Sequence, residues 1–295
     1  MHCFSPNIFN FARKAHRPLI FDGAMGSLLQ QLGVKSHGNL WTSLASINEP
    51  EMVLKIHSDY IISGADVITT NTFRSNPVAV SNDKSQILSD TLVKESLRIA
   101  RLAIGSSDVL LAGSNPPAED CYQKERTISN KLIQMNHRDH INLLIKYGCD
   151  FVLNETQSHL DEIEFIGSFC RKQNIPFVIS LFFTDDLRLL SGEYIVDILP
   201  LVESYKPLAI GFNCISPATF QKLADKYEFN YNWGIYFNCG SGNYTDPEIR
   251  CGINENEYLA AVKNILALRP SFIGACCGSN PKHIKQISEY FNGLS

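Results

Sequence analysis

The chain has 295 residues, with 26 Lys and Arg against 30 Asp and Glu, a formal net charge of −4 and a pI near 6.1. That balance leaves no electrostatic footprint for nucleic acid or an anionic membrane surface, and no apolar run approaches the roughly 18–20 residues that span a bilayer. The nine cysteines are odd in number and mostly embedded in strand or helix patterns, which reads as reduced thiols of a cytoplasmic protein rather than a disulfide framework.

Residues 1–17 mix His, Cys, Asn and Pro with scattered bases and lack the roughly 7–15-residue apolar core of a secretory signal. They read as an N-terminal extension, with the fold expected over residues 18–295. An apolar strand, Pro18–Phe21, runs into Asp22-Gly-Ala-Met-Gly26, and a short helix stops near Gly33. Asn48-Glu-Pro-Glu51 starts a helix carrying Val53, Ile56, Tyr60 and Ile61 on one stripe, ended by Gly64. The strand Asp66–Phe73 follows, then a helix with Leu88, Leu92, Ile99 and Leu102 on its apolar face.

After the strand Asp108–Ala112 comes a loop to about Thr127 and a helix from Ser129 to Gly148. The strand Phe151–Thr156, a helix to Lys172, the strand Pro176–Phe182 and a helix over 193–205 continue the alternation; Pro200 predicts a kink or early break in that last helix. Leu208–Cys214 is the next strand, followed by a helix near 217–227, the strand Asn232–Phe237, a helix over 255–268, a strand ending at Cys276-Cys277 and a final helix opened by Asn280-Pro281. Eight alternating strand–helix units predict a parallel sheet covered by helices, and at this length a closed (β/α)8 TIM barrel in one domain. No Gly-rich G-x-G-x-x-G follows the first strand, so nothing favours the open dinucleotide-binding alternative.

Functional residues of such a barrel gather at the C-terminal ends of its strands. Those ends carry Asp22, Asn71 with Thr72, Ser114 with Asn115, Glu155, Phe183, Cys214, Asn238 with Cys239, and Cys276 with Cys277. Adjacent side chains on a regular strand point to opposite faces, so Cys276 and Cys277 can share a target only where the strand has yielded to a turn, which Gly274 and Gly278 permit. Three thiolates from Cys214, Cys276 and Cys277 on Zn²⁺ leave a fourth position open, the pattern of a catalytic site suited to activating a thiol substrate. Cys239 as a fourth ligand would close the site and make it structural. Asp22 and Glu155 read either as helix caps or as a carboxylate pair gripping an ammonium group. Cys3, Cys149, Cys170 and Cys251 read as structural cysteines, and the absence of H-x-H or H-E-x-x-H spacing leaves a histidine-based metallohydrolase unsupported.

Asp22-Gly-Ala-Met-Gly26, Gly64-Ala-Asp-Val-Ile-Thr-Thr-Asn-Thr-Phe73, Asn154-Glu-Thr156, Gly211-Phe-Asn-Cys214 and Gly274-Ala-Cys-Cys-Gly278 together resemble the homocysteine S-methyltransferase family, from about residue 18 to the end. The resemblance implies a (β/α)8 barrel holding Zn²⁺ on Cys214, Cys276 and Cys277, with Asp22 and Glu155 binding the homocysteine amino group. It further implies that the Gly23 and Ala24 N–H groups meet the substrate carboxylate, that Asn71 and Thr72 line the pocket, and that Asn238 reaches the zinc's fourth position until the thiol displaces it. The implied reaction is methyl transfer to homocysteine, giving methionine, from a small-molecule donor: a sulfonium such as S-methylmethionine or S-adenosylmethionine, with betaine, a corrinoid protein or a non-catalytic zinc-stabilised barrel as alternatives. The chain departs from the family pattern at Ala275, at Phe237 and Cys239 around Asn238, and in the loop Gly113–Tyr122. Tyr122, Phe73 and Phe237 are the expected aromatic wall for a cationic donor.

Overall fold

The computed structural model describes Phe9, residues 17–241 and residues 248–293. Eight parallel strands form one sheet: β1 (Leu19–Ile20), β2 (Val67–Thr69), β3 (Leu110–Asn115), β4 (Phe151–Gln157), β5 (Phe177–Leu181), β6 (Ala209–Asn213), β7 (Trp233–Phe237) and β8 (Phe272–Ala275). Each is followed by a helix: α1 (Pro50–Ile62), α2 (Ser89–Ile104), α3 (Asn130–Lys146), α4 (Leu160–Lys172), α5 (Ile195–Ser204), α6 (Pro217–Ala224), α7 (Glu255–Ile265) and α8 (Pro281–Asn292). The ladder runs β1-β8-β7-β6-β5-β4-β3-β2, and the Phe21–Val67 bridge joins its two ends. The architecture is a (β/α)8 TIM barrel.

That closing seam is short, and two aspartates reinforce it. Asp66 accepts the Ile20 N–H at 2.8 Å and a two-pronged contact from Arg17 at 2.6 and 2.9 Å. Asp22 accepts the Thr69 N–H at 2.8 Å and its hydroxyl at 3.0 Å. The charge-assisted hydrogen bonds between Arg17 and Asp66 are of a kind roughly twice as strong as neutral ones, and with the Asp22–Thr69 contacts they supply what the two-residue β1 ladder lacks. Below them the barrel is plugged by aromatic rings: Phe21 stacks on Phe272 at 4.4 Å, and Phe9 packs against Phe272 and Phe151 at 5.6 and 6.2 Å. The expected extension, residues 1–17, lies outside the described residues except for Phe9 and Arg17, and both of these contact the barrel.

Helix starts follow the sequence signals. Ser129, Ser216 and Asn280 cap α3, α6 and α8 through their side chains, with Pro217 and Pro281 at the first helical positions. Gly64 and Gly148 take φ of +95° and +91° just past α1 and α3, a conformation that costs a Cβ-bearing residue. Of the kink or early break expected at Pro200, the break does not occur: helix α5 runs through Pro200 to Ser204, at the cost of one backbone hydrogen bond. One expectation fails. Leu88 and Leu102 are 66% and 60% exposed, because the buried stripe of α2 is Leu92, Val93, Ser96, Leu97, Ile99, Ala100 and Ile104.

His57 on α1 is fully buried, and neither ring nitrogen meets a hydrogen-bond partner among the described residues. Burial pushes its pKa from 6.5 down to about 3. The folded state therefore holds it neutral while the unfolded chain protonates it below its ordinary value, and stability present above about pH 6.5 is lost as pH falls. At pH 5 the loss from this one group is about 2 kcal/mol. His57→Leu should flatten the fall in thermal midpoint between pH 7 and pH 5, measured by calorimetry on both proteins.

Candidate active site

The C-terminal ends of the strands open into one cavity of about 750 Å³, whose lining includes Asp22, Gly23, Ala24, Asn71, Glu155, Cys214, Cys276 and Cys277. Strand β8 ends at Ala275, so Cys276 and Cys277 occupy a turn, with Gly278 at φ +83°. A Cβ on Gly278 would lie 2.7 Å from the Gly240 backbone, so only glycine lets this turn pack. The turn is tied down by Cys276 N–H to Phe237 O at 2.9 Å, Cys239 N–H to Cys277 O at 2.8 Å and Gly278 N–H to Ser27 Oγ at 2.9 Å. Cys214 follows β6 at φ +55°, a backbone region that side chains other than glycine seldom adopt.

The sulfurs of Cys214, Cys276 and Cys277 lie within 4.8 Å of one another. Cys214 and Cys276 are joined as a disulfide, a departure at this one pair from the expected reduced thiols, while the other described cysteines are free. Joined, the two cannot ligate a metal; reduced, they and Cys277 form a three-sulfur donor set. The separations to Cys277 are 3.9 Å from Cys214 and 4.0 Å from Cys276. A tetrahedral zinc with Zn–S of about 2.3 Å has ligand edges of about 3.8 Å, so the two edges to Cys277 fit a soft cation, and the Cys214–Cys276 edge fits one only once the disulfide is opened. Burial, with Glu155 nearby, pushes the Cys277 thiol up to about 12; it ionises only if a cation compensates. Cys239 is fully buried, lies outside this group and points its thiol at the Phe237 carbonyl, 3.8 Å away. The three-sulfur set thus has no fourth thiol among the described residues.

The two carboxylates do not cap helices. Asp22 is 5% exposed and bonds Thr69 across the barrel seam; Glu155 accepts a hydrogen bond from the Ser114 hydroxyl. Burial pushes Asp22 up to about 8, against the two Thr69 hydrogen bonds, and Glu155 adds to the rise. Burial likewise raises Glu155 to about 7, against the Ser114 bond. Asp22, buried, and Glu155, half-buried, bear on one another electrostatically, an arrangement that an ammonium group would relieve.

The remaining expected residues divide. Asn71 lines the cavity, its amide held by Thr42 O at 3.1 Å and Ser46 Oγ at 3.3 Å. The Ala24 N–H donates to Ser279 Oγ at 2.9 Å, leaving Gly23 N–H as the member of the pair that no hydrogen bond among the described residues uses. Thr72 sits behind the wall and donates to Ser114 O at 2.8 Å, so it steadies the strand that presents the hydroxyl to Glu155. Asn238 lies outside the cavity lining, with its Oδ1 accepting the Gly240 N–H at 2.8 Å. Phe73 and Tyr122 line the outer cavity, but Phe237 is fully buried against Phe220 and Tyr258 and faces away.

Sequence reading missed Trp41, Arg74 and Glu119, which also line this outer half. Trp41 packs edge-on to Phe73 at 6.3 Å. Arg74 spans the mouth to Asp120 at 2.6 Å and to the Glu119 carbonyl at 3.2 Å. The loop after β3 is held from behind by a buried network: Glu162 accepts from Ala118 N–H at 2.6 Å and Arg126 at 2.6 Å, and pairs with His137 at 2.8 Å. Burial alone would raise Glu162, but His137, Arg126 and the Ala118 N–H hold it down at about 2. The wall is therefore preformed. Breaking a buried pair costs about 3 kcal/mol, so Arg126→Leu should lower the stability read from urea unfolding by about that amount; an unchanged unfolding midpoint would contradict the role of this pair in holding the wall.

A closed parallel barrel with thiols and acids converging on its C-terminal cavity defines a barrel enzyme acting on a small molecule. The homocysteine S-methyltransferase family model matches residues 19–291, and the chain belongs to that family. Homocysteine S-methyltransferase YbgG of Bacillus subtilis is 23% identical, over 94% of this chain and 95% of that protein. The selenocysteine methyltransferase of Astragalus bisulcatus is 24% identical, over 96% and 95%. Among solved structures, the Escherichia coli homocysteine methyltransferase MmuM superposes with a TM-score of 0.77 in its metallated form and 0.79 in its oxidized form, at 24% and 23% identity, covering 97% of this chain and 100% of that one.

Proposed function

We propose that this enzyme transfers a methyl group from a sulfonium donor to the thiol of homocysteine, giving methionine, with Zn²⁺ held by Cys214, Cys276 and Cys277 in their reduced state. The observation that carries the reading is one cavity lined by three clustered sulfurs and two carboxylates whose charge awaits a cation. When bound, the ion supplies a thiolate nucleophile at neutral pH.

Asp22 and Glu155 receive the substrate ammonium, and the Gly23 N–H meets its carboxylate, while Asn71 lines the same pocket. Glu155 is near enough to Cys277 to oppose its ionisation, so the acid marks the boundary between the amino-acid grip and the reacting sulfur. Holding both ends of homocysteine fixes the direction from which its sulfur meets the donor. Asn238, bonded to Gly240, serves to hold the loop behind the thiols. The donor occupies the outer half, where Trp41, Phe73 and Tyr122 offer aromatic faces to a cation. As the methyl passes from one sulfur to the other, the sulfonium leaves as a neutral thioether and needs no acid. Its charge is partly neutralised in the transition state, which the apolar part of the wall favours.

The reduced, zinc-loaded enzyme should form methionine from homocysteine with S-methylmethionine or S-adenosylmethionine and not with betaine or methylcobalamin. Cys277→Ala should abolish turnover and bound zinc with the thermal midpoint of the metal-free protein unchanged; unfolding on chelation of the wild type would instead indicate a structural metal. Homocysteine affinity should fall by about tenfold or more between pH 8 and pH 6.5, because both raised carboxyls take up protons as pH drops through about 8 and 7. Glu155→Gln should bind more weakly throughout and flatten that dependence; an unaltered slope in isothermal calorimetry would exclude Glu155 from the ammonium grip.

A further inference from the structure

Strand β4 slips its register against β5 between Asn154 and Gln157, so Glu155 and Thr156 leave the ladder just where the carboxylate enters the cavity. Thr156 sits at φ +58°. A β-branched residue adopts that conformation only when its surroundings impose it. No glycine marks the turn, and the agent that imposes it comes from two strands away.

Asn213, the last residue of β6, is fully buried. Its Oδ1 accepts the Thr156 N–H at 2.9 Å and the Ser180 hydroxyl at 2.7 Å, and its Nδ2 donates to Thr156 Oγ1 at 2.8 Å. One carboxamide thus satisfies the amide that the bulge expels from the ladder and clamps the side chain of the same residue. The residue after Asn213 is Cys214, itself in a left-handed turn at φ +55°.

We infer that Asn213 is a positioning residue that couples the two halves of the site, holding the Thr156 turn that aims Glu155 into the cavity and fixing the backbone from which Cys214 reaches the sulfur cluster. The inference rests on the proposed roles of Glu155 and Cys214. A carboxamide is required because the same group must accept from two donors and donate to a third atom. Leucine has the shape and none of these functions. Aspartate keeps the acceptor but loses the donor and adds a charge.

The test compares Asn213→Leu and Asn213→Asp, each alone and combined with Thr156→Gly, in reduced protein. Zinc affinity is read by competition with a chromophoric chelator, and homocysteine KM and kcat in the donor assay. Loss of a residue that orients metal ligands from behind weakens metal binding by about tenfold or more, and both single variants should show this together with a comparable rise in homocysteine KM. Thr156→Gly should restore KM toward the wild-type value, since glycine adopts positive φ unaided, while zinc affinity stays weakened because Cys214 lacks its support.

A merely structural asparagine would lower the thermal midpoint and the active fraction but leave KM and zinc affinity of the folded protein unchanged, and that result overturns the inference. Absence of any recovery in the double variants overturns it too. Should Asn213→Leu fail to fold, the aspartate variant carries the comparison. Should the wild type form no methionine from any donor, the proposed function fails, yet chelator competition and calorimetric homocysteine binding still show whether Asn213 couples the two groups.

Discussion

Closure of the barrel between β1 and β2 is the constraint on which the site depends. The strand pairing there is a single bridge, and the Asp22 carboxylate completes it by taking both donors of Thr69. The same carboxylate faces the cavity, so the group that shuts the seam is also one wall of the proposed ammonium site. Its raised pKa follows from that double use: it is buried to close the fold and stays in tension with Glu155 until a cation arrives. Closure also sets β8, which leads into Cys276 and Cys277, between β1 and β7, bringing the three clustered sulfurs, the two acids and Gly23 around one space.

A second regularity concerns the strand ends. Glu155, Cys214 and Cys277 each lie in or beside a residue at positive φ, namely Thr156, Cys214 itself and Gly278. Extended strands would send neighbouring side chains to opposite faces; the left-handed residues break that alternation and turn chemistry inward. Only one of the three is a glycine. The others are held by hydrogen bonds, which keeps their geometry fixed before any ligand arrives.

Much of this was legible in the chain. Alternating apolar segments with Ser-Pro and Asn-Pro helix starts gave the barrel, and cysteines flanked by turn residues gave the sulfur cluster. What escaped shares a physical cause: it depends on partners remote in sequence. The positive φ of Thr156 is imposed from 57 positions away by Asn213, and no local composition signals it. Trp41 and Glu119 enter the cavity from irregular segments, where periodicity says nothing. Phe237 follows strand alternation to the outer packing layer instead of the donor wall, Asn238 turns back on Gly240, and Cys239 is spent on the Phe237 carbonyl. Leu102 shows the limit of counting apolar residues on a helix without fixing the phase of the stripe.

The proposed metal site has three sulfurs of this chain, and no fourth, around an ion that still has room for a substrate thiol. Zinc-edge X-ray absorption on the reduced, loaded protein tests it most directly. The prediction is three sulfur neighbours at about 2.3 Å with one lighter ligand, and a fourth sulfur in its place after homocysteine is added. Four sulfurs in the protein alone, or a coordination shell unchanged by homocysteine, would contradict it.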